Sequence, residues 1–326
     1  MTENTGENLE RLLDLIGRGK SFVITTHDTA DADGIGAELV TARIARGRGK
    51  PAAIVNSSRT PEAFTFMDAG GEIETWDEAR HGGLTGFTLI IVDTSDADHV
   101  GKTAALIARA DEVFVIDHHE PRSGAGFSGI REAGAASTCE LVAELAEAAD
   151  IILDTGTARA AYVGIAYDTG FFAYPKVGER TFRAALALVR LGADPHLAHR
   201  MLRENAAMRA LHLSRRATAG LRLLAGDRLA VQVLTKEDFL QTGATSEDTD
   251  GIVNMPLAYG GVQVSLFVKE SPEGKVSGSL RSKGDIDVAA IAAELGGGGH
   301  VNAAGFRSKG GLAETVELAI AKVLAG

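Results

Sequence analysis

This sequence predicts a two-domain α/β protein. A doubly wound, mainly parallel sheet comes first, and a smaller α/β domain follows across a cleft. Three observations carry the prediction. Thr88–Asp93 (T-L-I-I-V-D) and Glu112–Asp117 (E-V-F-V-I-D) are continuous apolar runs divided by helical pattern, as strands covered on both faces of a parallel sheet are. Those two runs and Phe22–Thr26 each pass into ionisable residues at their carboxyl ends, the edge at which open α/β sheets bind ligands. A new strand-rich pattern begins at Asp227.

Taken in order, residues 7–18 have the apolar spacing of an amphipathic helix. Phe22–Thr26 predicts a strand and Asp33–Arg46 a helix. Ala52–Asn56 predicts a strand, Pro61–Asp68 a short helix, and Val100–Ala110 a helix between the two apolar strands. Ser137 or Thr138 can cap a helix over Cys139–Ala148. Asp154–Asp168, rich in small residues, and Glu179–Leu191 predict two more. Pro195 suits a helix start, and 195–224 is expected to continue as helix. Beyond it come strands Leu229–Leu234, Val262–Lys269 and Val276–Ser282, helix Val288–Leu295, strand Ala303–Arg307 and helix Leu312–Leu324. The expected division is 1–190, a helical linker over 191–225, and 226–326. There is no internal repeat and no low-complexity tract.

Composition sets outer limits. The 326 residues are 45% hydrophobic and 24% charged, ordinary for a soluble protein with ample core in each of two domains. No apolar run approaches the ~20 residues of a membrane span. The N-terminus is acidic and polar, unlike a signal peptide. The single cysteine, Cys139, excludes an intrachain disulfide framework and a Cys-rich zinc site, and it is expected to be buried. A cytoplasmic enzyme is expected, with no membrane partner. The net charge of −11 argues against a broad nucleic-acid face but permits a short anionic substrate held by a few fixed cations.

The chemistry gathers after the first strand. Thr25–Ala37 (T-T-H-D-T-A-D-A-D-G-I-G-A) places His27, Asp31 and Asp33 on a strand-to-helix loop. Asp93, His118 and Asp168 end other elements, with Asp117 and His119 beside them. So many carboxylates could not stay ionised in one pocket without cations. Oxygen-rich ligands plus imidazole suit Mn²⁺ or Mg²⁺, with Fe²⁺ or Co²⁺ as alternatives, better than structural zinc. Two such ions about 3.5–4 Å apart activate a water and clamp both oxygens of an in-line phosphoryl displacement. The chain has no G-x-x-x-x-G-K-[ST] loop for nucleoside triphosphate hydrolysis. His81, His99, His196, His199 and His212 lie outside these blocks and read as surface or packing residues.

The H-x-x-x-D-x-D, V-D-T, D-H-H and Y-D-T-G blocks, in that order, resemble the DHH phosphoesterase superfamily. S-L-R-S-K-G-D-I-D-V followed by G-G-G-G-H-V-N-A-A-G-F resembles the DHH-associated domain, and T-D-G-I-V-N-M-P-L fits the stand-alone nanoRNase/pAp phosphatases. The resemblance implies that 1–190 is the metal-binding catalytic domain and 226–326 the substrate-binding one. It implies two divalent cations, manganese first. His27 and Asp31 would bind one, Asp33, His118 and Asp168 the other, and Asp93 both. Asp117 would orient a ligand from outside, and His119 would face the substrate phosphate. Arg281, Gly297, Gly298, Gly299, His300 and Asn302 would hold the far end of the substrate. Where the family usually has N-P-D-G-D-A, this chain has T-A-D-A-D-G, so Ala30 replaces proline and Ala32 replaces glycine. The implied activity is hydrolysis of short oligoribonucleotides such as pApA to mononucleotides, with 3′-phosphoadenosine 5′-phosphate as a second substrate. Long nucleic acid is not an expected partner, and a homodimer is compatible. The rival readings are a pyrophosphatase-like phosphohydrolase, against which the G-G-G-G-H-x-N-A-A-G-F ending speaks, and a non-catalytic nucleotide sensor, which would have lost ligands. Cyclic-dinucleotide phosphodiesterases with membrane and sensory segments are not expected in that form.

Overall fold

The computed structural model describes residues 3–119 and 126–325. They divide into two compact units, 1–205 and 206–326.

The first unit runs α1 (Glu3–Arg18), β1 (Phe22–Thr25), α2 (Ala32–Gly47), β2 (Ala52–Asn56), β3 (Ile73–Thr75), α3 (Glu78–His81) and β4 (Thr88–Val92). It continues with α4 (Ala104–Ile107), β5 (Glu112–Asp117), β6 (Ser128–Arg131), α5 (Thr138–Ala148), α6 (Thr155–Asp168), α7 (Glu179–Arg190) and α8 (Pro195–Arg203). The six strands lie in the order β3-β2-β1-β4-β5-β6 and every adjacent pair is parallel. Ile24 and Ile90 face one apolar cluster, and Val23 and Ile91 face another on the opposite side. Both faces are therefore covered, which is why these strands read as unbroken apolar runs. The order reverses between β1 and β4, and a crevice opens at such a reversal, beyond the carboxyl ends of the strands.

Two glycines bring the helices on one face close together. A Cβ on Gly36 would lie 2.8 Å from the Ala160 carbonyl oxygen, and one on Gly164 would lie 2.9 Å from that of Ala32. The start of α2 thus meets the end of α6 backbone to backbone, which carries Asp168 to Asp33. Cys139 is buried between the same two glycines.

The second unit runs α9 (Met208–Ala219), β7 (Arg222–Leu224), β8 (Leu229–Leu234), α10 (Lys236–Thr242), β9 (Val264–Glu270) and β10 (Val276–Ser282). It ends with α11 (Val288–Glu294), β11 (Gly298–His300), β12 (Ala303–Ser308) and α12 (Leu312–Ala325). Its sheet order is β11-β12-β10-β9-β8-β7, antiparallel except for β8 beside β9.

Several expectations change. The helix expected over Val100–Ala110 is one 3₁₀ turn, Gly101–Thr103, followed by the single turn α4. The helix expected over 195–224 breaks after Arg203 and resumes at Met208, because its halves pack into different units. Gly220 ends α9, and the chain passes into β7. The glycine run is not a loop throughout, since Gly298–His300 pairs with β12 as an edge strand. No helix among the described residues is long and apolar enough to cross a membrane.

Candidate metal centre

Each candidate ligand is placed by the end of a regular element. Asp31 caps α2, its Oδ1 accepting from the backbone N–H groups of Asp33 and Gly34 at 3.0 and 3.1 Å. That cap orders the loop without the family's proline. Ala32 opens the helix, and alanine there loses less backbone freedom on folding than glycine would. Asp93 follows β4 with φ of 61°, a left-handed conformation that aspartate tolerates better than most residues. Its N–H still donates to Ile116 O on β5 at 2.9 Å, so the turn is tied to the sheet. His118 and His119 follow directly on the end of β5, with ring centroids 4.5 Å apart. Asp168 is the last residue of α6.

The result is a compact cluster at the reversal of strand order. His27 Nε2 lies 3.8 Å from Asp31 Oδ1 and 3.6 Å from Asp93 Oδ2. His118 Nε2 lies 3.9 Å from Asp33 Oδ2, 3.7 Å from Asp93 Oδ1 and 3.3 Å from Asp168 Oδ2. Three triads of donor atoms fall within 4.8 Å of one another: His27 with Asp31 and Asp93, Asp33 with His118 and Asp168, and Asp93 with His118 and His119. Asp93 turns one oxygen toward each histidine pole. Such oxygen-rich sets with one or two imidazoles fit hard or borderline divalent cations.

Asp33, Asp93 and His118 are buried, and the electrostatics follow from that. Burial, together with Asp93 and Asp168, holds the Asp33 carboxyl well above its ordinary value. Burial, reinforced by Asp93 and Asp31, pushes Asp168 up to about 8. Burial pushes His118 down to about 4, into the neutral form that a metal ligand needs. Burial opposes charge on His27, but Asp31 and Asp93 prevail and raise it well above 6.5. Without a counter-cation the cluster therefore keeps protons that a bound cation would displace.

Asp117 and His119 form a separate pair. Asp117 Oδ1 is 2.8 Å from His119 Nδ1 and accepts from the His119 backbone N–H at 3.1 Å. Asp117 Oδ2 accepts from Ser95 Oγ at 2.5 Å, and Ser95 Oγ accepts from Arg131 Nε at 3.0 Å. Burial opposes charge on His119, but the bond to Asp117 prevails and raises it to about 9. Asp117 thus orients His119 and not the buried His118, whose Nδ1 sits 3.4 Å from Ala135 O.

In the second unit, Arg281 pairs with Ala303, and Ala303 with His300, so Arg281 and His300 share one face of β10, β12 and β11. Gly297 allows a close backbone approach, since a Cβ there would meet Gly305 O at 2.0 Å. Its N–H closes α11 by donating to Ala292 O at 2.8 Å. Asn302 is committed to the fold: its amide donates to Ser282 Oγ at 3.0 Å and Gly284 O at 2.8 Å. Gly298 and Gly299 lie in β11, and Gly299 has φ of 147°.

Thr138 was missed as a site residue in the sequence. Its hydroxyl donates to Asp93 Oδ1 at 2.8 Å and its N–H to Asp33 Oδ2 at 2.7 Å, while Cys139 N–H donates to Asp33 Oδ1 at 2.8 Å. The signal was the adjacent Ser137–Thr138 pair, of which a helix cap uses only one.

Fold and cluster together define a doubly wound α/β protein with a carboxylate–imidazole cluster whose donor set could hold divalent cations. Residues 21–165 match the DHH family, N-terminal domain, and residues 226–325 match the DHHA1 domain. The chain thus carries a DHH domain followed by a DHHA1 domain. It is 31% identical over 312 residues to the cyclic-di-AMP phosphodiesterase GdpP of Geobacillus thermodenitrificans, covering 89% of this chain and 45% of that protein. It is 29% identical over 294 residues to the bifunctional oligoribonuclease and PAP phosphatase NrnA of Thermus thermophilus, covering 88% of this chain and 84% of that one. The chain thus spans less than half the length of its cyclic-di-AMP phosphodiesterase relatives, at 45–46% of each. Among solved structures, an exopolyphosphatase-related protein from Bacteroides fragilis shares the fold with a TM-score of 0.88 at 23% identity, covering 98% of this chain and 96% of that one. RecJ of Thermus thermophilus in complex with Mn²⁺ aligns with a TM-score of 0.55 at 16% identity, covering 99% of this chain and 54% of that one.

Proposed function

We propose that this chain is a divalent-cation-dependent phosphodiesterase that cuts short oligoribonucleotides such as pApA to mononucleotides and also accepts 3′-phosphoadenosine 5′-phosphate. The observation that carries this reading is two donor triads side by side, His27–Asp31–Asp93 and Asp33–His118–Asp168, with Asp93 Oδ1 3.7 Å from His118 Nε2. His27, Asp31 and Asp93 would hold one cation, and Asp33, His118 and Asp168, with Asp93, the other. Mn²⁺ is the first choice, ahead of Mg²⁺, Co²⁺ and Fe²⁺. When bound, the pair supplies an activated water and charge neutralisation at phosphorus.

The chain's own groups account for the rest. His119 is charged at neutral pH and its side chain is 43% exposed, so it can meet a phosphate oxygen and give a proton to a leaving oxygen. The Arg131–Ser95–Asp117 chain fixes its orientation. Arg281 and His300 are assigned to the distal phosphate of a short substrate, through charge-assisted hydrogen bonds. The similarity to NrnA over most of both chains supports this substrate class.

A second reading, hydrolysis of cyclic di-AMP, is favoured by the similarity to GdpP over 89% of this chain. Opening one ester of that ring yields linear pApA, so a single panel separates the two. With Mn²⁺ present, kcat/KM is expected to be highest on pApA, lower on 3′-phosphoadenosine 5′-phosphate and on longer RNA, and negligible on pyrophosphate. Cyclic di-AMP as the best substrate would install the second reading, and pyrophosphate as the best would overturn both.

The protons stored in the metal-free centre predict a pH effect. Asp168 at about 8, His119 at about 9 and the raised His27 each hold a proton in the fold that the unfolded chain releases earlier. Stability from such groups is lost as pH rises through the folded values. His118, lowered to about 4, opposes this only below about pH 6.5, where the unfolded histidine charges. The EDTA-treated protein should therefore lose melting temperature from pH 6.5 towards 9, and the Mn²⁺-induced rise in Tm should grow over the same interval. A Mn²⁺ shift independent of pH would contradict the stored protons.

A further inference from the structure

We infer that Thr138 is a positioning residue that sets the Asp93 carboxylate, and with it the spacing of Asp33 and Asp93, before any cation arrives. The inference rests on the metal reading above and adds a residue to it. Ser137, not Thr138, caps α5: Ser137 Oγ accepts from Glu140 N–H at 3.0 Å. The Thr138 hydroxyl is therefore not needed to start the helix. It donates its one proton to Asp93 Oδ1 at 2.8 Å. The same residue's N–H donates to Asp33 Oδ2 at 2.7 Å, and Cys139 N–H takes the other Asp33 oxygen at 2.8 Å.

One fully buried residue thus joins carboxylates from two separate segments, the first turn of α2 and the turn after β4. Asp33 is gripped by two backbone groups and cannot turn. Asp93 sits in a left-handed turn, and its side-chain orientation depends on the hydroxyl. A threonine suits the task because its branched Cβ limits χ1, so the hydroxyl points one way. Preorganised ligands spare the cation the cost of ordering them on binding.

The test is Mn²⁺ titration of the full chain by calorimetry, a readout independent of turnover, with the fold monitored by circular dichroism. Thr138→Val keeps the shape and the Ser137 cap but removes the proton. It should weaken Mn²⁺ binding by about 10- to 100-fold, as expected for a lost hydrogen bond to a charged group. Thr138→Ser should bind within a few-fold of the parent chain, because the hydroxyl remains. Unchanged affinity in Thr138→Val, with the parent chain binding normally, overturns the role of Thr138 alone. So does a loss in Thr138→Ser as large as in Thr138→Val, since packing and not the proton would then matter. If Thr138→Val does not fold, Thr138→Ala, which also lacks the hydroxyl, takes its place with the same expected loss and the same overturning result. A parent chain that binds no divalent cation overturns the metal reading and this inference together.

Discussion

Replacing Asp93 by Asn is expected to abolish turnover and to lower the bound divalent cation, while leaving a folded protein. Asp93 is the one ligand whose two oxygens face different histidines, Oδ2 toward His27 and Oδ1 toward His118. An amide cannot supply two anionic oxygens, so both proposed cation positions are damaged at once. The loss should be at least the roughly 10²–10³-fold that follows removal of one transition-state donor in other enzymes. Asn is a better probe than Ala because φ is 61° at this position, and Asn adopts that conformation with little strain. Asp93→Ala should abolish turnover too, but with an added backbone cost. A variant that keeps two cations and a near-normal rate would remove the shared-ligand role.

Replacing Arg281 by Ala should lower kcat/KM on pApA by about 10- to 100-fold, the worth of one charge-assisted phosphate contact. It should leave Mn²⁺ binding unchanged, because every proposed ligand lies in the other unit. The loss should be largest on the shortest substrates, which have the fewest other contacts to compensate. In the parent chain kcat/KM should fall steeply as the RNA lengthens. A long strand needs a basic, aromatic-lined track, and a chain of net charge −11 is poorly suited to one. Measuring both proteins on a ladder of RNA lengths tests this. Equal rates on dinucleotides and long RNA, or no effect of Arg281→Ala, would contradict distal-phosphate recognition.

What the sequence made legible follows from local signals. Thr88–Val92 and Glu112–Asp117 were readable because burial on both faces leaves no polar interruption. β3 and β6 were not, because Ile73–Thr75 and Ser128–Arg131 are too short and mixed to show a period. Helix α10 carried a readable start that was overlooked: Thr235 and Asp238 form a reciprocal cap. The break after Arg203 had no local mark, since no proline or glycine interrupts 196–219, and only the division into two units explains it. The clustering of His27, Asp31, Asp33, Asp93, His118 and Asp168 was predictable from their places at element ends. Their supports were not. Thr138 looked like a helix cap, Asp117 serves the next residue but one, and Asn302 ties down a turn. Such partners are chosen by packing between segments far apart in the chain.

The central claim is a two-cation centre organised around Asp93. The most direct measurement is anomalous diffraction from crystals of the full chain grown with Mn²⁺. Two peaks are expected, one among His27, Asp31 and Asp93 and the other among Asp33, His118, Asp168 and the second oxygen of Asp93. A single peak that leaves Asp93 unshared, or no peak at the carboxyl ends of β1, β4 and β5, would contradict the account.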